Sequence, residues 1–185
     1  YRFLSSDDTY DPDRLTFDRE LLRRHYLKNG YADFRVVSAV AELTPDRNDF
    51  FVTFTIEEGE RYAFNEIKVE SKIGDIKSES VIGLIEIEKG DWYNAEAVDD
   101  TVVQLGDAVG EFGFAFVDVR PNVARDREKR TIDIVFEIQE GARYYIERID
   151  IVGNVRTLDK VVRREFTLVE GDAFNSAKIR RSRTR

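Results

Sequence analysis

Few side chains in this sequence could do covalent or metal chemistry, and their spacing does not suit it. His25 is the only histidine, and cysteine and methionine are absent. No histidine-based triad or two-histidine metal site can therefore form within the chain. Acidic residues are abundant, but none recur with the spacing of a calcium loop or a paired-carboxylate site. The nearest candidate, "SDDTYDPD", offers Asp8, Asp11 and Asp13 but lacks the central glycine and terminal glutamate of such a loop. Asp11 is better explained as a helix cap. The glycines are scattered at element ends and do not form a phosphate cradle. The residues thus assign no catalytic, metal or cofactor site and argue against an enzyme.

The bulk properties narrow the partners. The 185 residues suit one or two ordinary domains, or two to three small ones. Hydrophobic residues make up 42 %, and 13 Phe and 8 Tyr supply bulky core material. No apolar run approaches the ~20 residues of a membrane-spanning helix. "YRFLSSDD" lacks the basic start and apolar stretch of a signal peptide, so the expectation is a cytosolic protein or an internal piece of a longer one. A cysteine-free chain forms no disulfide and suits an oxidising space. The net charge of −8 argues against a nucleic-acid partner. One cationic cluster exists, "KIRRSRTR", Lys178 to Arg185; without its five charges, 24 cations face 37 anions. Such a run reads as a solvated helix face, or as a surface that meets an anionic lipid or protein.

The strongest signal is self-similarity. "HYLKNGYADFRV" (His25–Val36) and "EFGFAFVDV" (Glu111–Val119) share one form, with Gly30 matching Gly113 at an offset of 83. "TIEEGERYAFNEIKV" matches "EIQEGARYYIERIDI", with Gly59 on Gly141 at 82. "KGDWYNAEAV" matches "EGDAFNSAKI", with Gly90 on Gly171 at 81; "DDTYDPDRL" is an earlier form of that block. The unit is about eighty residues long, giving a partial copy over 1–61, a complete one over 62–141 and a partial one over 142–185.

The complete copy reads as β-α-α-β-β. "YAFNEIKVES" is a strand. "SESVIGLIEI" is a short helix capped by Ser78, with Val81, Ile82 and Ile85 as its apolar side. Asn94 caps a longer helix whose Val98, Val102, Leu105, Val109 and Phe112 fall on one face. Gly113 stops that helix with a left-handed cap, as Gly30 does in the first copy beside Tyr26 and Tyr31. Two strands follow around "RDREK"; in the second, Ile132, Ile134, Phe136 and Ile138 alternate. A right-handed crossover lays the first strand beside the last, giving an α+β fold with a three-stranded mixed sheet of order 1-3-2 under two helices. The second strand is then an edge, and Pro121 in it agrees, because proline lacks a ladder donor. The first copy offers a long helix (Asp11–Asn29) and a hairpin (Phe34–Glu57). The third offers a first strand and helices.

A β-α-α-β-β unit of this length, with "GY" after the long helix and "EG..Y" between units, resembles the polypeptide-transport-associated (POTRA) repeat of outer-membrane β-barrel assembly factors. "YLKNGYADFRVVSAVAELTPDRNDFFVTFTIEEGERY" and "IERIDIVGNVRTLDKVVRREFTLVEGDAFNSAKIRRSR" carry the likeness, which covers essentially the whole chain. The pieces resemble the end of a third repeat, all of a fourth and the start of a fifth. The middle copy departs in one place, with "VESKIGD" where the last copy has "IVGN". The resemblance implies tandem repeats in the periplasm that receive unfolded outer-membrane proteins and dock accessory lipoproteins. It also implies anchorage by a barrel that these residues do not include. Repeats of a related secretion or translocation porin, or a purely structural spacer, are the alternatives.

One device fits both readings. An unpaired sheet edge offers N–H and C=O groups to which an extended client adds as a further strand. The expected edges are Phe34–Val40, with Phe34, Val36, Ser38 and Val40, and Phe116–Val123, with Phe116, Asp118, Val119, Arg120 and Val123. Gly59 and Gly141 sit in the short joints between copies and are the expected inter-repeat hinge.

Overall fold

The computed structural model describes residues 11–153, 157–174 and 176–183. Its elements run α1 (Pro12–Lys28), β1 (Arg35–Leu43), β2 (Phe50–Glu57), β3 (Ala63–Ser71), α2 (Ser78–Ile82), α3 (Ala95–Glu111), β4 (Val117–Asp126), β5 (Thr131–Glu140), α4 (Asp159–Arg163) and α5 (Ser176–Arg183). β1 and β2 form a two-stranded antiparallel sheet, and β3, β5 and β4 form a mixed sheet in that order. The 1-3-2 order expected from the crossover is present, and β4 is an edge.

The local signals work as the residues suggest. Asp11 caps α1, accepting from Asp13 N at 2.9 Å, and Pro12 opens the helix where its missing N–H costs nothing. Asn94 caps α3 by accepting from Ala97 N at 3.1 Å. Gly30 and Gly113 end their helices at φ 98°, a region L-residues avoid. Tyr31 N donates to Tyr26 O, and the two rings meet edge to face at 5.4 Å. Ile132, Ile134, Phe136 and Ile138 are wholly buried, as are Val81, Leu105 and Val109. Each such side chain contributes roughly 1.5–3 kcal/mol of transfer free energy.

Four expectations need correction. Ser78 does not cap α2: it is the first helical residue, the cap position is Lys77, and the Ser78 hydroxyl accepts from Ser71 N. Ile82 is exposed because a five-residue helix is too short to bury more than one side, which Val81 takes. Phe112 is also exposed, since α3 ends at Glu111 and the buried stripe instead includes Thr101. Among the described residues the expected first strand of the third copy is not a regular strand; Tyr145 makes an isolated bridge with Ala173.

Backbone contacts divide the chain into two compact units. The first takes the chain through Glu66 with Ile87–Asp99 and Ala124–Asp133; the second takes Ile67–Glu86, Asp100–Val123 and the chain from Ile134. The repeat is visible in hydrogen bonds inside each. In the first unit Gly90 N donates to Phe64 O at 2.8 Å, Phe64 N to Asp91 O at 2.8 Å, and Tyr93 N to Tyr62 O at 2.9 Å. In the second, Gly171 N donates to Ile146 O at 2.7 Å, Ile146 N to Asp172 O at 2.8 Å, and Phe174 N to Tyr144 O at 2.8 Å. The Gly-Asp pair of "KGDWYN" and "EGDAFN" thus does the same work twice: the glycine turns at positive φ, and the aspartate carboxylate holds the turn by accepting a backbone N–H three residues upstream. The "DDTYDPDRL" counterpart lies mostly outside the described residues.

Candidate functional site

The β4 edge is built by alternation. Gly141 N donates to Phe116 O at 2.9 Å, so the backbone groups of Phe116 point toward β5. In an antiparallel pair the direction alternates along the strand. Carried along β4, that alternation assigns Asp118, Arg120 and Asn122 to the side of β5 and Val117, Val119, Pro121 and Val123 to the outer side. Proline at 121 agrees, because it has no N–H to give a ladder. The edge therefore offers donors at Val117, Val119 and Val123 with a gap at Pro121.

Side chains alternate across the sheet in the same strand. Val119 Cγ2 lies 4.0 Å from the point where a Cβ on Gly106 of α3 would sit, so Val119 faces the helices. Asp118 and Arg120 lie on the open face. Arg120 Nε donates to Asp118 Oδ2 at 2.7 Å, and Gln139 Nε2 reaches the same oxygen at 3.4 Å. Of the expected edge residues, Asp118, Val119, Arg120 and Val123 lie on β4. Phe116 precedes it, with its carbonyl already taken.

In the first copy Val36, Ser38 and Val40 lie on β1, opposite Ile56, Thr55 and Thr53, with a bulge between Val36 and Ser38. Phe34 lies outside the strand. Its N–H donates to Tyr31 O, it is 6 % exposed, and its ring stacks on Tyr26 at 4.2 Å, so it belongs to the core.

The joint around Gly59 holds a cluster that sequence reasoning missed. Tyr62 is 2 % exposed and donates its hydroxyl proton to Asp33 Oδ2 at 2.6 Å, while the Arg125 guanidinium pairs with the other Asp33 oxygen. Tyr62 and the arginines hold the Asp33 carboxyl below its usual range, against the opposing effect of desolvation. The same hydrogen bond, with desolvation, raises the Tyr62 phenol. Arg61 Nε donates to Asn29 O at 2.7 Å, and its guanidinium lies 4.1 Å over the Trp92 ring. Tyr62 N donates to Gly30 O at 2.9 Å, and Lys28 pairs with Glu96 at 2.5 Å. Gly59 has φ 72°, and a Cβ there would meet Asp33 Cβ at 3.1 Å. The signal was the repeated "G.RY": Gly59-Glu-Arg-Tyr62 and Gly141-Ala-Arg-Tyr144.

Gly141, in the second joint, differs from Gly59 in its backbone. It has no positive φ; a Cβ there would meet Val117 C at 3.3 Å and Asp118 N at 3.4 Å, so its lack of a side chain lets the chain pass close to β4. Tyr144, the counterpart of buried Tyr62, is 64 % exposed.

Little else suggests chemistry. Among the described residues no group of three or more His, Asp or Glu could hold a metal, and no helix is long and apolar enough to cross a membrane. His25 is exposed, edge-on to Tyr26. In the cationic cluster, Arg181 pairs with Glu111 at 2.6 Å. A hollow of about 1030 Å³ in the third copy is lined mainly by Ile146, Ile149, Phe166, Leu168, Phe174 and Ile179, with no converging catalytic groups.

The family profile described as POTRA, surface antigen variable number repeat, matches residues 3–59, 62–141 and 144–185. The chain belongs to the POTRA family. Its relatives include the outer membrane protein assembly factor BamA of Neisseria meningitidis serogroup B, 25 % identical over 185 residues, and that of Neorickettsia risticii, 31 % identical over 184. Each alignment covers all of this chain but only 23 % and 24 % of the relative, so the chain spans about a quarter of their length. The POTRA3-5 segment of Haemophilus influenzae BamA has the same fold, with a TM-score of 0.74 over 95 % of this chain and 69 % of that one at 21 % identity.

Proposed function

We propose that this chain is a run of polypeptide-binding scaffold repeats from an outer-membrane β-barrel assembly factor, and that it receives extended segments of unfolded outer-membrane proteins by strand addition on β4. Its working place is the periplasmic face of the outer membrane, with the barrel that anchors it elsewhere in the full protein. Accessory lipoproteins of the assembly complex are its other partners. The three repeats divide at 1–61, 62–141 and 142–185, which the family matches at 3–59, 62–141 and 144–185 support.

The observation that carries the reading is the position of β4 outside β5; the alternation of an antiparallel ladder then turns Val117, Val119 and Val123 outward. Main-chain pairing ignores side-chain identity, which suits a receptor for many clients. Each bond is worth roughly 0.5–1.5 kcal/mol net. A short added strand gives a few kcal/mol, less the cost of ordering the client. Binding in the range of roughly millimolar to tens of micromolar follows, weak enough to pass a client on. The outer edge of β1, through Val36, Ser38 and Val40, is a second and less regular station because of its bulge.

The test is a titration of the isotope-labelled chain with an extended outer-membrane peptide. Shifts should appear along β4 and be lost in Val119→Pro, which removes an outward N–H and leaves the β5 ladder intact. Unchanged shifts in a folded Val119→Pro chain would reject the reading.

A structural-spacer role has its own support in the Asp33–Tyr62–Arg125 cluster, which fixes one joint. On that reading Gly59 and Gly141 are close-approach glycines that stiffen the joints rather than hinges. A spacer would bind no peptide.

A further inference from the structure

The block Gly-Asp-x-aromatic-Asn occurs as "GDWYN" from Gly90 and again as "GDAFN" from Gly171. Its first copy lies against the border of β3. Ala63 N donates to Arg130 O, on the β5 side of β3, so alternation turns the main-chain groups of Tyr62 and Phe64 to the outer side. Every one of those groups is taken by the chain itself. Tyr62 N donates to Gly30 O and Tyr62 O accepts from Tyr93 N, both at 2.9 Å. Phe64 N donates to Asp91 O and Phe64 O accepts from Gly90 N, both at 2.8 Å. Between them Ala63 and Trp92 form an antiparallel bridge. At the far end of β3, Ser71 N donates to Ser78 Oγ at 3.3 Å. The β3 border is closed at both ends, whereas among the described residues β4, the other border, pairs only with β5.

Each residue of the first block has a part in this closure. Gly90 turns the chain at φ 97°. Asp91 holds the turn, its Oδ2 accepting from Glu88 N at 3.2 Å. Trp92 supplies the bridge. Tyr93 sets its ring 5.5 Å from that of buried Phe64. Asn94 caps α3, which begins at Ala95. The pairing segment is thus one bridge long, with a glycine turn before it and a helix after it. So short an edge strand offers no template for further pairing. In the third copy Gly171, Asp172 and Phe174 make the same bonds to Tyr144 and Ile146 around the bridge Tyr145–Ala173. Asp172 Oδ2 there accepts from Val169 N at 3.0 Å.

We propose that this block is an edge guard. It occupies the β3 border as an added strand would, so that the complete repeat accepts an extended polypeptide on β4 and none on β3. The closure of β3 stands whether or not β4 binds clients; the steering of a client to β4 rests on the strand-addition reading above.

The experiment opens the guard and asks where a synthetic alternating strand peptide then sits on the labelled 185-residue chain. Gly90→Pro removes the N–H given to Phe64 O and forbids the positive φ. Asp91→Ala removes the carboxylate that holds the turn. Both positions are exposed, and an added Cβ at Gly90 meets nothing within 4 Å, so both variants act on the guard and not on the core. In the wild type the Phe64 and Tyr93 amides exchange slowly with solvent, and peptide shifts the amides of β4 but not those of Phe64–Val69. In Gly90→Pro, and to a smaller degree in Asp91→Ala, the Phe64 amide exchanges about tenfold faster. Peptide then shifts β3 as well, and the chain self-associates with concentration in sedimentation runs. Fast exchange at Phe64 in the wild type overturns the guard. So does a variant whose Phe64 amide is opened while β3 gains neither peptide nor self-association. If Gly90→Pro does not fold, Asp91→Ala decides, and unchanged Phe64 exchange in it overturns the guard. A wild type that binds no peptide on β4 removes the strand-addition reading, and exchange and self-association then judge the guard on their own.

Discussion

At the scale of single residues, the chain spends its titratable groups on structure. Asp33 shows this best. Its carboxyl is held low chiefly by the Tyr62 hydroxyl and then by Arg125. A depressed folded-state pKa gives stability that is present above the unfolded value and lost as pH falls through the folded one. Asp33→Asn should therefore cost stability at neutral pH, and the gap to wild type should close below about pH 4, near an unperturbed aspartate; urea melts across pH measure it. Tyr62→Phe removes one hydrogen bond to a charged acceptor from a buried ring and should cost about 1–2 kcal/mol. Two glycines give a matched pair. Gly59 and Gly113 both have positive φ, but only Gly59 has a neighbour, Asp33, within 4 Å of an added Cβ. Gly113→Ala should cost about 1 kcal/mol from backbone strain alone and Gly59→Ala measurably more. Equal losses would remove the close-approach account of Gly59.

At the scale of elements, periodicity was legible wherever one face is buried. The alternation of Ile132, Ile134, Phe136 and Ile138 marks β5 because that strand lies in the centre of its sheet with one face under the helices. The caps at Asp11 and Asn94 were legible because a side-chain acceptor followed by an apolar stripe is a local device. What failed depends on neighbours that local sequence does not name. Phe112 continues the α3 spacing but falls beyond the last helical residue, and Ile82 continues an apolar side that a one-turn helix cannot bury. The candidate edge was legible through Pro121 and the crossover rule. The Asp33–Tyr62–Arg125 cluster was not, since its members lie up to 92 residues apart. Pro121 also yields a prediction for β4. Proline on an edge blocks further pairing, so Pro121→Val, by restoring an outward N–H, should raise peptide affinity and make the chain self-associate with concentration in sedimentation runs. A variant that stays monomeric and binds no better would mean that position 121 does not face outward.

At the scale of the whole molecule, the proposed function of this POTRA chain rests on one feature, the main chain of β4 at the border of its sheet. Amide hydrogen exchange, read residue by residue with and without saturating peptide, tests that feature directly. The account predicts alternation in the free chain: Val117, Val119 and Val123 exchange fast, while Asp118, Arg120 and Asn122 are protected by β5. With peptide bound, the Val117 and Val119 amides become protected and the others barely change. Slow exchange at Val117 and Val119 in the free chain, or no gain of protection on binding, would contradict it.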